Sequence, residues 1–140
     1  MRYTPEFWRR FVTFLRTATE QDRLWWWESL DEPPRMCSYY PDGMVHLMLP
    51  EEGGSDHDVV TFGPWHEIDG VFHPEMPEDR ALVESLYRVA DRMKREREED
   101  IHDIVRGRPV LKLQQIKRDI AKEVEGVNGG SGAVGVKARQ

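Results

Sequence analysis

Three consecutive tryptophans, Trp25-Trp26-Trp27, follow Leu24 and precede Glu28. No regular element hides all three rings against one surface. On a helix, neighbouring side chains stand about 100° apart, so the triplet fans over about 200°, wider than the apolar stripe a surface helix buries. On a strand, the middle ring points opposite to the other two. Either the segment is covered from both sides, or a large ring remains at the surface. Exposed aromatics of this size suit contact with another molecule.

A length of 140 residues fits a single domain. With 39% hydrophobic and 33% charged residues, the chain has the composition of a folded protein. No apolar run nears the ~20 residues that span a bilayer, and Met1-Arg2-Tyr3-Thr4-Pro5-Glu6 lacks a signal-like apolar core. Cys37 stands alone, which excludes an internal disulfide; cytoplasmic residence is the expectation. The net charge of −6 is uneven: residues 35–76 carry one basic and eight acidic side chains, and residues 100–140 carry eight and five. An acidic middle argues against a general nucleic-acid binder, whose phosphate contacts need clustered Lys and Arg. It suits a protein partner with a basic surface.

Thr4-Pro5-Glu6 opens a helix with a capping hydroxyl, a first-turn proline and an acid at the dipole's positive end. Phe7, Phe11, Phe14, Leu15 and Ala18 form its apolar stripe. A second short helix over 21–30 is expected to carry the triplet and to end at Pro33-Pro34. The middle reads as a β-meander with strands over 35–40, 44–49 and 58–62 and a fourth possible over 65–72, the first two joined by a Pro41-Asp42-Gly43 turn. Leu82, Leu86, Val89, Ala90 and Met93 mark a helix over about 77–99, and Ile116, Ile120 and Val124 a final one. Residues 101–113 read equally as a hairpin or a broken helix. Gly129-Gly130-Ser131-Gly132 signals a flexible tail.

Candidate chemistry is sparse. Trp25, Trp26, Trp27, Tyr39 and Tyr40, with the acidic Glu51, Glu52, Asp56 and Asp58, are the candidate partner-binding residues. His57, His66 and His73 lie among carboxylates, the ligand types of a zinc or nonhaem metal site, but without HExxH-like spacing. Cys37 with His66 would be a nucleophile and base, on residue type alone. Arg106-Gly107-Arg108-Pro109 spells an AT-hook core, yet its apolar flanks favour a structured turn. Arg106, Arg108, Lys112, Lys117 and Arg118 would serve a nucleic-acid binder, and the charged run Glu96–Asp100 reads as a solvated face.

The segment Val60-Thr61-Phe62-Gly63-Pro64-Trp65-His66, followed by an amphipathic helix, resembles small bacterial proteins of the immunity-protein kind over about residues 58–95. In those, a Phe-Gly-x-Trp-His stretch ends a strand before a helix. Here Ile68 stands where a second His belongs, and Asp69–Met76 lengthens the loop. The resemblance implies a compact α+β fold that acts by binding.

The sequence thus predicts one α+β domain over 1–126 with a flexible tail over 127–140. N-terminal helices, an antiparallel meander of three to four strands and C-terminal helices packed on one face make up the domain. The expected function is non-catalytic binding and modulation of another macromolecule, with no cofactor. A metal-assisted hydrolase built on the 56–75 cluster and a nucleic-acid binder built on the basic C-terminal part are the alternatives.

Overall fold

A computed structural model of the chain describes residues 3–29, 34–49, 57–96 and 111–128. The first helix starts as its sequence dictates. The Thr4 side chain accepts the Phe7 N–H at 3.1 Å, Pro5 fills the first turn, and α1 runs Pro5–Glu20. Phe7, Trp8, Phe11, Val12, Leu15 and Ala18 are buried along one side.

The helix expected to hold the tryptophans does not form. Asp22 adopts φ 62°, and the Arg23 N–H returns to the Ala18 carbonyl at 2.8 Å. That left-handed residue stops α1 and reverses the chain. The chain then runs extended into β1, Trp27–Ser29. Aromatic residues favour a pleated, half-buried setting, so the triplet joins the sheet instead.

The sheet has one strand more than the three to four expected, β1 being the addition. β2 is Arg35–Tyr40, β3 Gly43–Met48, β4 Val59–Phe62 and β5 Ile68–Phe72. All pair antiparallel with their sequence neighbours in the order β1-β2-β3-β4-β5. Met36, Tyr40, Val45, Leu47, Val59 and Phe72 point to one face and join the core formed by the helices. The helices α2, Pro77–Glu96, and α3, Leu113–Asn128, complete the layer, with α1 contacting both. The fold is α+β. The last helix runs two residues past the expected domain boundary at 126. The candidate tail from 129 on, the charged run from 97 and the Arg106–Pro109 motif lie outside the described residues; Leu111 and Lys112 lead straight into α3.

Two contacts fix the helices on the sheet. Trp8 lies flat on Phe72, ring centroids 5.5 Å apart and planes 4° from parallel. Gly70 makes room for it, since a Cβ there would stand 3.1 Å from the Trp8 ring and 2.9 Å from Thr61 Oγ1. On the other side, Asp42 in the β2–β3 turn accepts the Leu113 N–H at 2.8 Å and the Gln114 N–H at 3.0 Å, capping α3 across the fold.

The pairing of β4 with β5 is interrupted: Thr61 faces Gly70 while Phe62 faces Ile68. Asp69 is therefore the extra residue of a β-bulge, and a bulge re-aims a side chain. Its carboxylate accepts the Thr61 hydroxyl and, at 2.7 Å, the Lys117 ammonium of α3. Lys117 is only 2% exposed and lies 4.9 Å from the Tyr3 ring centroid. The nucleic-acid alternative needs Lys117 at the surface; it is an interior cation instead, and its charge is offset by Asp69.

Candidate protein-interaction face

The face of the sheet turned away from the helices carries three rows of side chains set by strand register. The row nearest the β2–β3 turn holds Tyr39, Met44, Phe62 and Ile68. The middle row holds Trp27, Cys37, His46, Val60 and Val71. The third holds Ser29, Arg35 and Met48. It continues past the ladder to Asp58, whose carbonyl accepts the Met48 N–H at 2.8 Å, and to His73, which bonds Asp58 at 2.6 Å.

No residue of the first two rows is an acid, a lysine or an arginine, and the Arg35 guanidinium of the third row reaches Cys37 in the middle one. Trp27 tilts against Tyr39 at 5.4 Å between centroids, and His46 against Phe62 at 4.5 Å. Tyr39, Ile68 and Val71 are 57%, 61% and 53% exposed, and Trp65 in the adjoining turn is 84% exposed. None of the face's hydrophobic residues belongs to the helix-covered core. An apolar centre with a polar row at one margin is the anatomy of a protein interface, and aromatic residues, Met and Arg are the types enriched there.

The predicted site residues divide accordingly. Trp27, Tyr39 and Asp58 share this face. Trp25 and Trp26 do not present their rings to solvent: both are buried, the Trp25 indole N–H donating to Asp22 at 2.8 Å and that of Trp26 to Thr19 Oγ1 at 3.0 Å. Tyr40 is buried on the helix side, hydrogen-bonded to Ser38 at 3.0 Å, and burial holds its phenol well above the ordinary pKa. Glu51, Glu52 and Asp56 lie outside the described residues. Met44, His46, Met48, Val60, Phe62, Ile68 and Val71 were missed by sequence reasoning. Their signal was there: strands apolar on both faces, such as Met44–Met48 and Val59–Phe62, ask for cover on both.

The other candidate chemistries are not assembled. His57 is buried against Tyr87 at 4.9 Å, His66 sits exposed at φ 65° in the β4–β5 turn, and His73 is on the sheet margin. Among the described residues no three metal-ligating side chains converge. Cys37 faces His46 across β2 and β3 rather than His66. Burial raises the Cys37 thiol pKa, against the opposing pull of Arg35, and burial and Arg35 lower that of His46. A buried thiol held protonated beside a weakened base is the opposite of an activated nucleophile. The Glu67 carboxylate beside His66 is engaged by the Trp65 N–H at 2.9 Å. A cleft of about 450 Å³ lined by Arg9, Met76, Glu78, Asp79 and Leu82 contains no histidine or nucleophile, and its Arg9 and Asp79 pair at 2.8 Å.

No protein-family model matches the sequence, and no curated protein or solved structure matches it. No helix among the described residues is long and apolar enough to cross a membrane.

Proposed function

We propose that this chain is a non-catalytic interaction protein that works through the helix-free face of its sheet, as a regulator or inhibitor of another macromolecule. The observation that carries the reading is the pair of rows from Trp27 to Val71 and from Tyr39 to Ile68, over which no helix among the described residues packs. Exposed Tyr39, Ile68 and Val71 gather on this face with Trp65 beside them, and apolar surface rimmed by polar residues marks interaction sites. The immunity-type resemblance at Phe62–His66 points the same way. Glu67 is exposed between Trp65 and Ile68 where the chain enters β5, an acidic side chain at the margin of the face that suits a target with a basic rim.

Site-specific photocrosslinking in the native host tests this. A crosslinking residue at Tyr39 or Val71 should capture a discrete protein, and one at Arg88, on the exposed side of α2, should not. Equal capture from both places, or none from the sheet, would refute the reading.

A further inference from the structure

We infer that, in the protein on its own, the helix-free face closes on a second copy of this chain about a two-fold axis running along β3. The inference rests on the interaction reading above and names the occupant of the same face. Regulation of a target through that face then means competition with self-association.

The register supplies the argument. A rotation about β3 exchanges β2 with β4 and β1 with β5. In the third row it sets Arg35 over Asp58 of the second copy and Asp58 over Arg35 of the second copy, so opposite charges meet twice at the polar margin, in addition to the bonds Asp58 makes to His73 and Arg35 to Cys37 within each copy. In the middle row Trp27 meets Val71, and Cys37 meets Val60, a large side chain or a thiol against a small branched one. In the first row Tyr39 meets Phe62, ring on ring. Met44, His46 and Met48 lie on the axis and meet themselves. Met is adaptable in such a position, and His46, held below the ordinary imidazole pKa by burial and Arg35, meets its equivalent uncharged.

The charges also select the axis. A two-fold across the strands would set Asp58 over Phe62 and Arg35 over Tyr39, burying a carboxylate beneath a phenyl ring and leaving opposite charges apart. The axis along β3 avoids both. It also suits aligned sheet-on-sheet packing, in which the mean strand directions stay within about 30° of each other.

Neither sheet edge competes as a docking site. One edge is the three-residue β1, and the other is β5, kinked by the bulge at Asp69. Short strands and bulges are devices that blunt an edge against strand addition. The face measures roughly 20 by 17 Å, from about 4.8 Å per strand and about 3.3 Å per residue. That is a small footprint beside the roughly 800 Å² each partner buries in a standard interface, which places the association among weak, concentration-dependent ones.

Sedimentation equilibrium of the purified full chain decides. Between about 1 and 200 μM, a range suited to weak association, the mass should rise from the 16.5 kDa of one chain towards twice that value. Val60→Glu, and Val71→Glu at the more exposed position, should hold it at one chain while the circular dichroism melt stays near that of the parent. Arg35→Asp or Asp58→Arg alone should raise the dissociation constant at least about tenfold, and the two together should restore it. A dimer indifferent to all four single substitutions, or unrestored by the double charge swap, overturns the geometry. A protein that stays at one chain throughout overturns the second copy. If sheet positions then still crosslink a discrete protein in the host, the interaction reading stands alone; if they do not, both fall.

Discussion

Asp42 and Leu113, 71 positions apart, are joined by a 2.8 Å hydrogen bond that makes a turn in the sheet the cap of a distant helix. The same carboxylate takes the Gln114 N–H at 3.0 Å, so two of the unsatisfied donors at the start of α3 are met from outside the helix. Asp42→Ala should cost about 1 kcal/mol, as removal of an N-cap does. Urea unfolding would measure it, and hydrogen exchange should locate the added opening in α3.

Lys117 and Asp69 should behave as one unit. Lys117→Met leaves the Asp69 carboxylate facing the core without its cation and should cost about 3 kcal/mol, the lower end for breaking a buried pair because Asp69 keeps a quarter of its side chain exposed. Lys117→Met combined with Asp69→Val should recover much of that loss. A double-mutant cycle by urea unfolding checks it, and additive effects would contradict the coupling.

Acid should expose the same pair. Burial pushes the Asp69 carboxyl up, but hydrogen bonds from Lys117 and Thr61, the Lys117 charge and Gln114 outweigh it and hold the pKa below the ordinary aspartate value. A carboxyl depressed on folding contributes stability that is fully present above its unfolded pKa and is lost as pH falls through its folded one. Stability should therefore decline below the ordinary aspartate range with a slope that Asp69→Asn reduces. Unfolding free energies across that range, with and without the substitution, measure the difference.

Gly70→Ala should destabilise by about 1–3 kcal/mol, as overpacking does. The added methyl group meets Trp8 and Thr61 at 3.1 and 2.9 Å, and neither yields easily: Trp8 is stacked on Phe72, and the Thr61 hydroxyl is tied to Asp69 and Lys117. Thermal melting of the variant is the measurement.

The tryptophans should separate by role. Trp26→Ala removes a fully buried ring hydrogen-bonded to Thr19 and should cost about 3–5 kcal/mol. Trp27→Ala should leave the melt closer to that of the parent and weaken association through the sheet face, since its partly buried ring lies against Tyr39 on that face. Melting and binding measured on both variants would test the division.

Much of the framework was readable from residue types. Thr4 and Pro5 announced α1, and Pro41-Asp42-Gly43 announced the hairpin; its register was not announced, because β3 begins at Gly43, one residue before the strand expected from 44, and the two-residue turn then pairs Cys37 with His46. The triplet was misread because a fan of rings is compatible with either period, and the left-handed residue that breaks the helix is an Asp, which ends helices less conspicuously than Gly. Lys117 was misread because a charged residue in a helical pattern usually faces water. Yet Leu113, Lys117, Ile120 and Val124 fall at the spacing of one helical stripe, and all four are buried. What no local pattern could supply was the counter-charge, since Asp69 reaches Lys117 only through a bulge that depends on strand pairing.

That bulge has a consequence for how large any assembly becomes. With a kinked strand at one margin and a three-residue strand at the other, the sheet offers no template along which chain after chain could be added sideways. Growth is confined to the direction perpendicular to the sheet, where a layer of helices seals the opposite side. If the face closes on a second copy as inferred above, one stacking event covers the apolar rows, and association would end as a closed particle instead of a fibre.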